Sequence, residues 1–114
     1  MFHNKCIRYE GREYEIFWTT QHARHVCATY GTNTLHDIHH DDIAQLLEYY
    51  DAVVPHGQDR YTFLNWRNQR ERVYEIHVYL VNASRNRPGR CVVFTGYRSN
   101  KQQYLALAAS QQRK

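Results

Sequence analysis

The chain has 114 residues, a length at which one domain with one hydrophobic core is expected. Its longest apolar runs, such as Cys91-Val92-Val93-Phe94, fall far short of the roughly 20 residues of a membrane span, and the N-terminus lacks the apolar core of a signal peptide, so a soluble, cytoplasmic protein with no membrane partner is expected. Three cysteines without CxxC spacing argue against a disulfide framework and a thiolate zinc site, and the net charge of +4 divides unevenly, residues 1–57 holding 4 Lys/Arg against 8 Asp/Glu and residues 58–114 holding 11 against 3.

No repeat or Pro/Gly/Ser-rich linker divides the chain, and residues 1–114 read as a single α+β domain. Cys6–Tyr9 and Tyr14–Trp18, punctuated by Glu10-Gly11, predict a hairpin. Thr19 or Thr20 can cap a helix in which Ala23, Val26, Cys27 and Tyr30 fall at i, i+3, i+4 and i+7, with Gly31 as its stop. A second helix carries Ile43, Leu46, Leu47 and Tyr50 at the same spacing. Ile38 and Ile43 are placed as a hydrophobic staple around its start, and Pro55 limits its continuation. From residue 60 the period becomes two. Arg60–Trp66, Glu71–Val81 and Cys91–Tyr97 predict three strands of an antiparallel meander, with Tyr74, Ile76, Val78 and Leu80 on one face of the long strand and Val73, Glu75, His77 and Tyr79 on the other. Asn82–Arg90 is a basic loop, and the Ala/Gln/Leu-rich tail from Asn100 is a C-terminal helix. The expected fold is therefore a twisted antiparallel sheet with two helices packed on one face and a C-terminal helix.

Four groups of residues have the chemistry to form a site. The arginines of the basic half suit a phosphate backbone, because a guanidinium grips phosphate bidentately, although turn-borne arginines also serve simply as solvated surface. His36, His39 and His40 share one face only if a helix runs through all three. The staple places the helix start after His36, so no metal site or cofactor is expected. His22 and His25 flank Arg24 at the edge of the first helix's apolar stripe, where a histidine can act as base or acid near neutral pH, or simply bond a backbone carbonyl. At the end of the last strand Thr95 and Tyr97 share a face across Gly96, with Arg98 following, a hydroxyl, phenol and guanidinium able together to hold a phosphate, although Thr and Tyr also serve simply as good strand formers.

The order Thr20-Gln21-His22-Ala23, then Ile38-His39-His40-Asp41-Asp42-Ile43, then Phe94-Thr95-Gly96-Tyr97-Arg98 resembles the small BrnT-like and related domains of the RelE-type ribonuclease-toxin fold. In those domains a Ser/Thr-x-His-Ala opens the first helix, an Ile-Ser-x-x-Asp-Ile opens the second, and the last strand reads apolar-Thr-x-Tyr. The resemblance spans residues 18–99. Where the family pattern has an arginine four residues after the histidine this chain has Val26, with Arg24 or His25 as the substitute. The resemblance implies a toxin-type endoribonuclease in which the substrate's 2′-hydroxyl attacks the adjacent phosphate. On that reading His22 is the leading general base, His25 or His77 is a second acid/base group, Thr95 and Tyr97 orient the substrate, and Arg24, Arg60, Arg98 and Lys101 bind RNA phosphates. A cognate antitoxin or immunity protein is the implied partner. Two other classes fit the same sequence: a non-catalytic nucleic-acid- or partner-binding accessory protein of a mobile element, and an inhibitor or immunity protein whose acidic half meets a basic partner.

Overall fold

The computed structural model describes residues 6–18, 40–68 and 72–112. The helix expected from Thr19 or Thr20 to Tyr30 lies outside the described residues, and so do His22, Arg24, His25, Cys27, His36 and His39. Strands β1 (Cys6–Tyr9) and β2 (Arg12–Trp18) form the expected hairpin. Its two loop residues, Glu10 at φ 51° and Gly11 at φ 78°, take the positive values that a tight, right-twisted hairpin turn requires. Helix α1 (His40–Glu48) starts where the Ile38/Ile43 spacing predicts, Ile38 itself lying outside the described residues. It is followed by β3 (Ala52–Gly57), β4 (Arg60–Asn65), β5 (Tyr74–Val81), β6 (Gly89–Arg98) and helix α2 (Gln102–Gln112). No helix among the described residues is long and apolar enough to cross a membrane.

The six strands form one curled sheet in the order β1-β2-β6-β5-β4-β3. The expected antiparallel meander is present as β4, β5 and β6, but the expectation of an antiparallel sheet with two helices on one face and a further C-terminal helix is wrong in three ways. The sheet is mixed, since β2 runs parallel to β6 from Tyr14↔Gly89 to Trp18↔Val93. A strand, β3, occupies the stretch where Pro55 was expected only to end a helix. An edge strand leaves one row of N–H groups outside the ladder and so tolerates proline. The structure is also mostly sheet: of the described helices α1 packs on one face and the C-terminal helix at one end of the other, in place of two helices side by side on one face.

On the first face Ile43 and Leu47 of α1 meet Phe63, Tyr74, Ile76, Val78 and Val93, together with Tyr14 and Ile16 from β2. The approach is closest at Gly96, where a Cβ would stand 2.9 Å from Cδ1 of Ile43. Helix α1 ends without a glycine, and its last carbonyls are met by a side chain instead: Nδ2 of buried Asn65 donates to Leu46 O at 3.1 Å and to Tyr49 O at 3.0 Å, tying the helix end to β4. On the second face Tyr104 and Ala108 of α2 pack on Leu64, Trp66 and Val73 at one end of the sheet. The remainder of that face carries the polar residues of β4, β5 and β6. Cys91 is buried in the first core, where burial pushes its thiol pKa up, and Cys6 is half-buried.

The parallel contact is testable at Gly89. A Cβ there would lie 2.8 Å from the backbone oxygen of Glu13 and 3.0 Å from Cδ1 of Tyr14, so β2 and β6 would have to separate. At Gly96 the nearest atom is the movable end of Ile43. Gly89→Ala should cost about 1–3 kcal/mol in urea unfolding and more than Gly96→Ala. The opposite order would contradict the parallel register.

Candidate active site on the polar face of the sheet

Alternation along β5 puts Glu75, His77 and Tyr79 on the second face, and the sequence on either side closes over them. Ser99 turns the chain after β6 by donating its N–H to Val73 O at 2.7 Å. Its Oγ then accepts the Lys101 N–H at 3.2 Å, which brings Lys101 over β5 ahead of α2. The Glu75 side chain is 0% exposed, and its Oε1 accepts from Nε2 of His77 at 2.8 Å and from Nζ of Lys101 at 2.8 Å. His77 is 14% exposed and Lys101 41%.

Burial alone pushes the Glu75 carboxyl up, but hydrogen bonding from His77, Lys101, Ser99 and Tyr97 outweighs it and brings the pKa down to about 2. Oε2 is buried without a hydrogen-bond partner of good geometry, so Ser99 and Tyr97 act on the carboxylate through looser approaches. The bond to Glu75 raises Lys101 despite partial burial, while burial and the Glu75 charge raise Tyr97. At neutral pH the centre therefore holds a carboxylate, an ammonium and an un-ionised phenol.

The network continues across the sheet. Nδ1 of His77 lies 3.0 Å from Oγ1 of Thr62 on β4, and that oxygen lies 2.7 Å from Nε2 of His56 on β3. Thr62 is fully buried and His56 is exposed. Around the polar chain runs a row of rings: Tyr97 and His77 with centroids 5.5 Å apart, His77 and Phe94 at 5.9 Å, Phe94 and Tyr79 at 5.0 Å. The Arg60 guanidinium stands 5.8 Å from the Phe94 centroid. Two register shifts flank the site, one between Pro55 and Gly57 at His56 and one opposite His77 and Val78 that leaves Phe94 as the extra residue of β6. Bulges of this kind re-aim side chains beside functional sites.

Five of the residues singled out from sequence share this face. His77 pairs with Thr95 and Glu75 with Tyr97, Lys101 reaches Glu75, and Arg60 sits opposite Tyr79. Arg98 pairs with Tyr74 and by alternation belongs to the other face, away from this cluster. His22, Arg24 and His25 lie outside the described residues. The sequence reading missed Glu75, Thr62 and His56. Counting in twos puts Thr62 on the face of Arg60 and His77 on the face of Glu75, but their meeting depends on the pairing of the two strands and burial of Glu75 on the turn through Ser99, which periodicity does not reveal.

The depressed Glu75 pKa makes stability depend on acid. Because the folded value of about 2 lies below the ordinary 4.5, the contribution is present above 4.5 and is lost as pH falls towards 2. At about 1.4 kcal/mol per unit it is on the order of 3 kcal/mol. Urea titrations of wild type and Glu75→Gln should show the wild-type advantage shrinking between pH 5 and 2, and a constant difference would contradict an ionised buried Glu75. Comparison with protein families, curated proteins and solved structures gave no match to this chain.

Proposed function

We propose that the chain is a small toxin-type endoribonuclease that cleaves RNA by acid/base chemistry without a metal, acting in the cytoplasm and held in check by a cognate antitoxin or immunity protein. The observation that carries this reading is the junction on one sheet face of a buried carboxylate, an imidazole and an ammonium at 2.8 Å, beside aromatic rings and an arginine. Cleavage by 2′-hydroxyl attack needs a group to take a proton and cations to stabilise the pentavalent phosphate. Lys101 and Arg60 supply positive charge, and Thr95 and Tyr97 orient the substrate, as the sequence resemblance implies. Tyr79, 39% exposed, offers a ring on which an unpaired base can stack. The excess of cations in residues 58–114 suits a polyanion. The roles of His22, Arg24 and His25 come from the sequence alone, and Arg98, on the other face, takes no part in this cluster.

The ring row and Arg60 favour a second reading, a module that binds single-stranded RNA without cutting it. The two readings separate in one experiment on end-labelled RNA. The ribonuclease yields 2′,3′-cyclic phosphate ends in excess chelator, whereas the binding module gives salt-dependent binding and intact RNA. In either case affinity should fall with salt, and Arg60→Gln should lower the log–log salt slope by about 1. A flat salt dependence removes RNA from both readings. Cleavage that chelator abolishes and a divalent ion restores overturns the metal-independent mechanism.

A further inference from the structure

Within the ribonuclease reading, on which this step rests, we infer that His56, in place of His77 and of the His22 favoured by the sequence resemblance, takes the proton from the attacking 2′-hydroxyl, with Thr62, His77 and Glu75 as positioning residues behind it. Both ring nitrogens of His77 are engaged, Nε2 by Glu75 at 2.8 Å and Tyr97 at 3.1 Å, Nδ1 by Thr62 at 3.0 Å. At 14% exposure it cannot meet a substrate hydroxyl without breaking one of these bonds. His56 is exposed and, among the described residues, is bonded through Nε2, towards Thr62 at 2.7 Å.

The direction of the chain follows from its buried end. An ionised carboxylate only accepts, so Nε2 of His77 carries the hydrogen and donates to Glu75. In the neutral ring Nδ1 of His77 then accepts from the Thr62 hydroxyl. The hydroxyl oxygen in turn accepts from Nε2–H of His56, which leaves Nδ1 of His56 as the accepting nitrogen. One carboxylate thus sets two imidazole tautomers across three strands. The exposed end is held as well: Gly57, Gln58 and Asp59 all have positive φ, at 83°, 54° and 65°, in a turn that Leu80 N pins through Asp59 O at 3.0 Å. The His56 bulge therefore sits on a constrained loop.

In the reaction the 2′-hydroxyl proton passes to Nδ1 of His56 as O2′ bonds to phosphorus. The P–O5′ bond breaks, its electron pair leaves on O5′, and that oxygen is protonated by solvent. The products are a 2′,3′-cyclic phosphate and a 5′-hydroxyl, and His56 returns its proton to water. Glu75 stays ionised throughout, held by Lys101 and its other donors, so the chain orients His56 and stabilises its imidazolium and does not carry the proton inward.

The test combines ¹⁵N NMR of the histidine rings with cleavage kinetics. In wild type, at a pH where both rings are neutral, His77 and His56 should each show a protonated Nε2 and a bare Nδ1. Thr62→Val should return His56 to a tautomer mixture and lower kcat about 10-fold, and Thr62→Ser should restore both. His56→Ala should lower kcat by about 10²-fold or more with RNA affinity kept. A hydrogen on Nδ1 of His77, or wild-type cleavage by a folded His56→Ala protein, overturns this assignment while leaving the ribonuclease reading intact. Absence of any cleavage by wild type overturns the ribonuclease reading, and the catalytic role of His56 with it.

Discussion

A carboxylate removed from water has to be compensated, and Glu75 is the group around which the second face of this sheet is arranged. A buried ionised glutamate is costly by itself. Here Oε1 receives two charge-assisted or strongly polar donors at 2.8 Å, one from its own strand two residues on and one from Lys101, 26 residues later. The second donor arrives only because Ser99 turns the chain back over β5 and holds the first residues ahead of α2. The same turn lets Tyr104 and Ala108 cover Leu64, Trp66 and Val73, so the packing of the C-terminal helix and the charge balance of the site depend on one another.

The two faces divide the work. The first is a conventional apolar core, with α1 seated at Gly96 and clamped at its end by Asn65. The second is apolar only at the α2 end and polar or aromatic elsewhere. Both register shifts fall on this second region, at His56 and at Phe94. Each interrupts a regular ladder where a side chain of chemical interest sits. The first core supplies the rigidity that lets the other face depart from regular pairing.

Much of this was legible from local pattern. The Glu10-Gly11 turn, the staple before α1 and the alternation of β5 depend on neighbours in sequence, and each element stands where those signals put it. What could not be read was pairing over long separations: periodicity assigns a residue to a face but does not name the strand beside it, so the parallel contact of β2 with β6 was invisible. Pro55 misled because its effect depends on whether the strand is central or at an edge. At the site, His77, Thr95, Tyr97, Arg60 and Lys101 were singled out by residue type and position. Glu75 was placed on the strand face of His77 and Tyr79 but given no role, and His56 was not singled out. Their importance comes from burial and from side chains converging across three strands, properties of the folded sheet alone.

The order of this face depends most directly on the ionisation of Glu75. Following the side-chain carboxyl carbon of Glu75 by ¹³C NMR through an acid titration measures it without reference to activity. A midpoint near 2 is expected, with the His77 ring signals moving in the same step because the two groups share a hydrogen bond. A midpoint at the ordinary value of 4.5, with His77 indifferent to it, would mean that the carboxylate does not organise this face.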